Sequence, residues 1–261
     1  MHAANYFENA MLNLFRGTQI TAPAKVYLAL FLSDPTDTGT AGSELSYSNY
    51  ARQEVTFSAP EADGSGGMVM ENAVEIGFPE CLTDAGTVTH AAIMDAATGG
   101  HMLLHCPLES ELPVTPGIAP VFRTGSVSWQ WDGIFPTAIK TAIMNTLRNV
   151  NMAGIATPYI AFCNGDPTDG GAEFSGSDYA RIPVTFSAPA QSQSSAGQIS
   201  NTQLVLAARA SAIRRDLTHI AIMDAATAGN ICAVIEMPNP MTVKAGMIIG
   251  FRAGELKITA D

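Results

Sequence analysis

Two histidine–aspartate pairs in the sequence have residue types that could transfer protons or bind a metal. His90 is followed by Asp95, and His219 is followed at the same interval by Asp224. An imidazole titrates near neutral pH, so either histidine could act as a general base or as a ligand. The residues between each pair are Ala, Ile and Met, as in a packed strand, and no catalytic group accompanies them. We therefore expect each histidine to be satisfied by a neighbouring backbone group and each aspartate to open a turn.

A second candidate group is the sequence Asp-Pro-Thr-Asp, which occurs twice, each time after an apolar run. The two copies are Asp34–Asp37 and Asp166–Asp169. An aspartate in the first turn position accepts a hydrogen bond from the backbone two residues on, and proline fixes the next φ. The alternative is a calcium site that adds Glu44 or Glu173 to the two aspartates. Because the characteristic spacing of a calcium loop is missing, we expect a turn and no metal ion.

Two arginines lie in the repeated sequence Tyr-Ala-Arg, which runs from Tyr50 to Arg52 and from Tyr179 to Arg181. We expect each guanidinium to form a bidentate pair with a carboxylate of its own repeat, and the Asp-Pro-Thr-Asp aspartates are the candidates. The alternative, recognition of an anionic ligand, would need several converging donors, and only one is evident.

The recurrence of these motifs indicates that the chain is a tandem duplication. Asp34 recurs as Asp166, and the later motifs recur at a slightly shorter interval, with Tyr50 matching Tyr179 and His90 matching His219. The first copy therefore carries three extra residues between these motifs. We predict two modules, residues 1–132 and 133–261.

The hydrophobic pattern of each module indicates one helix followed by short strands. Helices are predicted at Tyr6–Arg16 and Pro136–Val150. Strands of the first module are predicted at Val26–Leu32, Ala51–Ser58, Val74–Phe78, Val88–Met94, Met102–Cys106 and Val121–Trp129. Gly, Pro, Asp and Ser separate these segments, and the polar stretches Glu61–Gly67 and Gln191–Gly197 are predicted to be exposed loops. The predicted fold is mainly β, with two tandem antiparallel β-sandwich modules, each preceded by an N-terminal α-helix.

Composition excludes several classes of function. The chain has 13 basic and 24 acidic residues, a net charge of −11, so it lacks the basic surface that binds nucleic acid or an anionic membrane. No signal peptide and no apolar run of membrane-spanning length are visible, which predicts synthesis in a cytoplasm. The four cysteines form no Cys-x-x-Cys sequence, so we expect free thiols, no zinc site and no cofactor. Catalytic motifs of hydrolases and nucleotide-binding proteins are also missing from the sequence.

The two modules differ in charge. Module one has 4 basic and 15 acidic residues, a balance of −11, whereas module two has 9 of each and a balance of zero. Such divergence is expected when two copies occupy different places in one assembly, because complementary charge selects partners.

The order of these motifs resembles the small virion proteins of tailed bacteriophages known as tail fibre proteins. The shared features are Asp-Pro-Thr-Asp, a Gly/Ser/Glu-rich loop, Tyr-Ala-Arg-x-x-Val-Thr-Phe-x-Ala-Pro and Thr-His-x-x-Ile-x-Asp-Ala-Ala-Thr-x-Gly. The resemblance implies a non-enzymatic structural protein of the virion, made in the host cytoplasm, whose partners are other virion proteins in the tail, fibre or baseplate region.

Two alternatives within the virion stay open at this point: a capsid decoration (cement) protein and a receptor-binding adhesin. An enzyme is the least supported class, because the sequence offers no catalytic site. Two similar modules in one chain also suggest a homo-oligomer, and we hypothesise a trimer with a pseudo-sixfold arrangement of six modules.

Overall fold

The computed structural model describes residues 1–191, 197–213 and 215–260. Helix α1 spans Asn5–Asn13 and continues as a 3₁₀ turn, and helix α2 spans Thr137–Thr146. Helix α1 ends before the predicted Arg16, and α2 ends before the predicted Val150. The left-handed Gly17, at φ 80°, terminates the 3₁₀ turn, and the left-handed Asn149, at φ 63°, lies shortly after α2. Within the described residues, neither helix is long and apolar enough to cross a membrane.

Short antiparallel strands make up most of the regular structure in both halves. The first half contains β1 (His2–Ala3), β2 (Val26–Phe31), β3 (Gln53–Val55), β4 (Glu61–Ala62), β5 (Met68–Glu71), β6 (Ile76–Gly77), β7 (Gly86–Met94), β8 (Met102–Val114), β9 (Val121–Phe122) and β10 (Ser128–Trp131). The second half contains β11 (Tyr159–Asn164), β12 (Ala172–Glu173), β13 (Ile182–Pro183), β14 (Ala190–Gln191), β15 (Gly197–Ser200), β16 (Val205–Leu206), β17 (Asp216–Met223), β18 (Ile231–Thr242), β19 (Gly250–Phe251) and β20 (Lys257–Ala260).

The strands that are equivalent in the two halves pair in the same order, and β1 and β12 lie outside this common set. In the first half, one sheet has the order β1-β8-β7-β2-β3 and a smaller sheet has the order β10-β5-β4. In the second half, the larger sheet has the order β12-β11-β17-β18, with β13 also on β11, and the smaller sheet has the order β14-β15-β20. Two further strand pairs, β6 with β9 and β16 with β19, complete the pattern. A mainly β, antiparallel fold with two helices is therefore confirmed.

Register and irregularities repeat as well. Tyr27 pairs with Met94 across β2 and β7, and Tyr159 pairs with Met223 across β11 and β17. The β7–β8 and β17–β18 ladders each contain two irregularities, and these lie at equivalent positions. Because a bulge changes which side chains face the core, equal bulges keep equivalent residues on equivalent faces.

Several predicted strand limits were wrong. The observed strands are shorter than predicted at Ala51–Ser58 and Val74–Phe78. The predicted strand Val121–Trp129 is interrupted, and the predicted loop Glu61–Gly67 begins with strand β4. Conversely, Met102–Cys106 continues to Val114, even though Pro107 follows directly. Pro107 pairs with His90 of β7 directly beside the irregularity between Val88 and His90, and an irregularity is a place where a strand tolerates proline. Most of the predicted loop Gln191–Gly197 lies outside the described residues.

The two halves contact each other reciprocally through their helices. Helix α1 of the first half contacts β15 and β20 of the second, and helix α2 of the second half contacts β5 of the first. Between them, Ile20 and Met152 form an antiparallel bridge, with N–H to O=C distances of 2.9 and 3.1 Å. The interval from Ile20 to Met152 equals that from Asp34 to Asp166, so these two residues are equivalent in the repeat. A residue that pairs with its own equivalent is the mark of an isologous, pseudo-twofold contact.

Aromatic rings fill the space where the halves meet. Phe15 follows α1 and is 1% exposed. Its ring lies 5.9 Å from the ring of Phe135 and 6.1 Å from that of Phe186, both in the second half. Leu14 also accepts a backbone hydrogen bond of 2.8 Å from Ile155. One continuous apolar core therefore contains residues of both halves.

Candidate functional site

The most elaborate polar arrangement in the first half is centred on Arg52. Its Nε and Nη2 donate to the two carboxylate oxygens of Glu44, each at 2.8 Å. Its Nη1 donates to the carbonyl oxygens of Ala96 and Gly99 at 2.9 and 2.7 Å. Tyr50 donates its hydroxyl proton to Glu44 at 3.2 Å.

The second half repeats this arrangement. Arg181 donates from Nε and Nη2 to the carboxylate of Glu173 at 2.9 and 2.8 Å. Its Nη1 donates to the carbonyl oxygens of Ala225, at 2.9 Å, and Ala228. Tyr179 donates to Glu173 at 2.8 Å. We call each set of tyrosine, arginine, glutamate and carbonyl oxygens an arginine cluster.

Each arginine cluster joins three separate segments of the chain. Glu44 bridges to Phe31 at the end of β2, Arg52 directly precedes β3, and the carbonyl oxygens belong to the turn between β7 and β8. The backbone N–H of Leu30 also donates to the Tyr50 hydroxyl at 3.1 Å. A planar guanidinium can satisfy a carboxylate and two carbonyl groups at once, which fixes the relative positions of all three segments.

Burial strengthens both pairs. The Arg52 side chain is 9% exposed and that of Glu44 is 29% exposed, with nearly equal values in the second half. The hydrogen bond to Glu44 raises the pKa of Arg52 and outweighs the opposing effect of burial. Burial also raises the pKa of Tyr50 far above its ordinary value, so its hydroxyl keeps its proton and continues to donate. At neutral pH Arg52 is therefore positively charged and Tyr50 keeps its hydroxyl proton.

The predicted partner of the arginines was wrong. Asp34 and Asp37 do not contact Arg52, because Glu44 lies beside the guanidinium and both of its oxygens are used there. The sequence did contain the signal, since Glu44 and Glu173 stand at the same distance before their arginines in the two repeats. The same bonds leave Glu44 unsuited to the alternative calcium site.

The Asp-Pro-Thr-Asp segments form turns in both halves. Asp34 accepts a hydrogen bond of 2.8 Å from the backbone N–H of Thr36, and Asp166 accepts one of 2.8 Å from that of Thr168. Asp169 closes the second turn with its own N–H on the Asp166 carbonyl oxygen at 3.0 Å. This is the side-chain bond that favours aspartate in the first turn position.

In the first half only, Asp37 contacts a histidine of β8. The carboxylate lies 2.9 Å from Nε2 of the buried His105, and His90 Nε2 lies 3.9 Å from Asp34. His105 has no histidine counterpart in the second half, where Val234 takes its place. No set of three or more His, Cys, Asp or Glu side chains suited to a metal ion occurs among residues 1–191, 197–213 and 215–260.

The repeated histidines have a different partner from the one predicted. His90 Nδ1 lies 2.8 Å from the hydroxyl oxygen of Thr89, and His219 Nδ1 lies 2.9 Å from that of Thr218. The prediction of a backbone partner was therefore wrong, because the hydroxyl group of the preceding threonine lies within hydrogen-bonding distance of the imidazole.

The repeated aspartates that follow the histidines hold the turns after β7 and β17. Asp95 accepts a hydrogen bond of 2.6 Å from the N–H of His101, and Asp224 accepts one of 2.7 Å from that of Asn230. The glycine before each of these donor residues has a positive φ, and a side chain there would collide with the aspartate. These carboxylates therefore stabilise the backbone conformation of the turns.

A buried asparagine in each half was not anticipated from the sequence. Asn72 donates to the carbonyl oxygens of Val74 and Arg123 and accepts from the N–H of Val127 at 2.8 Å. Asn201 makes the equivalent bonds in the second half. Both are 1% exposed. The available signal was that Asn72 and Asn201 occupy matching positions in the two repeats.

The comparison with known families agrees with this repetition. The family model described as podophage GP4 fiber I protein gp80 matches the chain twice, over residues 2–130 and again over residues 135–259. The chain belongs to the podophage GP4 fiber I protein family. No curated protein matches the chain. Podophage fiber proteins are structural, non-enzymatic components of the phage tail fibre, so this chain is a virion component and has other virion proteins as partners.

Replacing Arg52 with alanine should destabilise the first half. The change leaves the partly buried Glu44 carboxylate and two carbonyl oxygens without their donor, so we expect a loss of about 2–4 kcal/mol in the free energy of unfolding. Urea denaturation measures this loss in the free energy of unfolding. Arg123→Ala, at an exposed position, is the matched control and should stay within about 0.5 kcal/mol of the parent. Equal midpoints for the two variants would mean that the pair contributes nothing to stability.

Acid should weaken the second arginine cluster. Burial alone would raise the pKa of Glu173, but hydrogen bonds from Arg181 and Tyr179 outweigh it and hold the pKa below its ordinary value of 4.5. A carboxyl group with a depressed pKa stabilises the fold above its unfolded pKa, and this stability is lost as the pH falls through the folded pKa. We therefore expect the free energy of unfolding to fall as the pH drops below 4.5.

Urea denaturation over a pH series measures this loss. Arg181→Ala should make the dependence on pH shallower in the same range, whereas Arg123→Ala should keep the parent dependence. An unchanged slope in Arg181→Ala would show that Glu173 does not titrate through this pair.

Proposed function

We propose that the chain is a double structural unit of the phage tail, built from modules at residues 1–132 and 133–261, which joins other virion proteins in the tail, fibre or baseplate region. The observation that carries this proposal is the reciprocal packing of the halves. Each helix contacts the smaller sheet of the opposite half, and Phe15 inserts between aromatic rings of the second half. Two family modules are thereby held together as one body, which suits a connector between other virion proteins.

Each module is proposed to be a small sandwich of its two sheets. In the first half, Leu28 and Ile93 of the larger sheet belong to the same core as Met70 and Trp129 of the smaller sheet. Side chains from two sheets that share one core are what a sandwich requires. The turn aspartates and the arginine clusters are proposed to have a structural role, since their partners lie within the same module.

A homo-oligomer is also proposed, with the trimer as the working model. A pseudo-sixfold ring would need successive modules to meet head to tail, whereas Ile20 and Met152 meet reciprocally. Three reciprocal pairs around a threefold axis still place six modules in the ring and are compatible with this contact. The balance of −11 against zero also reduces repulsion when acidic modules alternate with neutral ones.

The tryptophans argue against the adhesin alternative. Trp129 and Trp131 are 1% and 5% exposed, so neither offers an aromatic platform to a receptor. The capsid decoration alternative differs from our proposal only in location, and the same experiment separates the two.

Cryo-electron microscopy of phage particles labelled with an antibody fragment against this chain tests the proposal. We expect label on the tail, at a copy number divisible by three. Label on the capsid surface would support a decoration protein instead. Label confined to a distal fibre tip, combined with loss of adsorption when the fragment is bound, would support an adhesin. A copy number not divisible by three would exclude the trimer.

A further inference from the structure

Equivalent positions of the two helices carry buried charges of opposite sign. Glu8 of α1 and Lys140 of α2 have the same separation in sequence as the helix-end pair Arg16 and Arg148. Glu8 is 2% exposed and Lys140 is 4% exposed. Burial of a charged side chain is costly unless it is paired or hydrogen-bonded, so each of these two side chains requires a polar partner.

Glu8 reaches across to the second half. Its Oε2 accepts a buried hydrogen bond of 2.9 Å from the backbone N–H of Gly197, the first residue of β15. A Cβ atom on Gly197 would lie only 3.2 Å from the Cβ atom of Glu8. Glycine at this position therefore allows the close approach between α1 and the smaller sheet of the opposite half.

Lys140 makes the reciprocal contact with the first half. Its Nζ donates to the carbonyl oxygen of Gly66 at 3.2 Å, in the turn that precedes β5. The carboxylates of Asp63 and Asp132 converge on the neighbouring Gly67, where any side chain would collide with both. Lys140 thus enters an acidic corner of the first half.

The electrostatics of that corner favour a cation. Burial lowers the pKa of Lys140, while the negative charges of Asp132 and Asp63 oppose this effect. Hydrogen bonds from the backbone of Ser65 and Gly67 and from Gln130 lower the pKa of Asp63 to about 2, so this carboxylate is ionised at neutral pH. A carboxylate in the place of Lys140 would therefore be the third in the corner.

We propose that Glu8 and Lys140 determine which modules pair: they favour module one with module two and oppose pairing of module one with module one of another copy. The two modules have matching contact surfaces, so copies at high local concentration could exchange them. In a like pair of first modules, Glu8 would take the place of Lys140 beside Asp63 and Asp132. Like charges brought together at a buried contact are an effective means of rejecting a wrong partner.

The test is Glu8→Lys in the full chain. A lysine at position 8 suits the acidic corner of a second copy, so first modules of different chains can now pair. We expect the fraction of chains in species larger than those of the parent to rise about tenfold, measured by native mass spectrometry over a concentration series. Glu8→Gln is the matched control, because it removes the charge without reversing it, and its distribution should lie between those of the parent and Glu8→Lys. Identical distributions for Glu8→Lys and Glu8→Gln would overturn the proposal.

A second measurement decides the matter if Glu8→Lys does not fold. Lys140→Met, Asp63→Asn and the double variant form a cycle whose denaturation midpoints report the coupling between the two charges. We expect the shift of the double variant to be clearly smaller than the sum of the single shifts, and the coupling to weaken in salt. The control cycle replaces Asp63→Asn by Glu54→Gln, on an exposed ion pair with Lys25, and should be additive. Additive midpoints in the Lys140–Asp63 cycle would overturn the proposal.

Discussion

The structure depends on one constraint, which is that each helix completes the core of the opposite half. Helix α1 contacts β15 and β20, and α2 contacts β5, so each smaller sheet packs against the helix of the opposite half. Burial of apolar surface is the main favourable term in folding, and here the buried core contains residues of both repeats. The duplicated chain is therefore an interlocked pair, which explains why the Ile20–Met152 bridge joins equivalent residues.

Around this shared core, polar groups fix the ends of the sheets. The arginine clusters hold the turn after β7 and the turn after β17 through carbonyl oxygens, and Asp95 and Asp224 hold the same turns through backbone N–H groups. Such side-chain bonds to backbone specify one arrangement of a turn, whereas apolar packing alone tolerates alternatives. The architecture suits a structural component of a phage tail fibre.

The sequence predicted the repeat, the two helices, the main strands and the Asp-Pro-Thr-Asp turns, because each leaves a local or periodic pattern. It did not predict which surface each helix covers. The apolar face of α1 shows that the helix is buried but does not specify the sheet that buries it. Glu44 was overlooked as the partner of Arg52 because the equal spacing of glutamate and arginine in the two repeats does not show which carboxylate the fold brings to the guanidinium. The opposite charges of Glu8 and Lys140 are visible in the aligned repeats, but their burial is not.

The interlocked arrangement is tested most directly by a disulfide between the repeats. Ile20 and Met152 form a hydrogen-bonded antiparallel pair, whose Cα atoms lie about 5.5 Å apart in such ladders, within the range that a disulfide spans. In Ile20→Cys/Met152→Cys, mild oxidation should link the two positions within one chain, as shown by non-reducing peptide mapping. The single variants should form no such link. If the double variant stayed reduced, or cross-linked only between chains, the two halves would not pack as described.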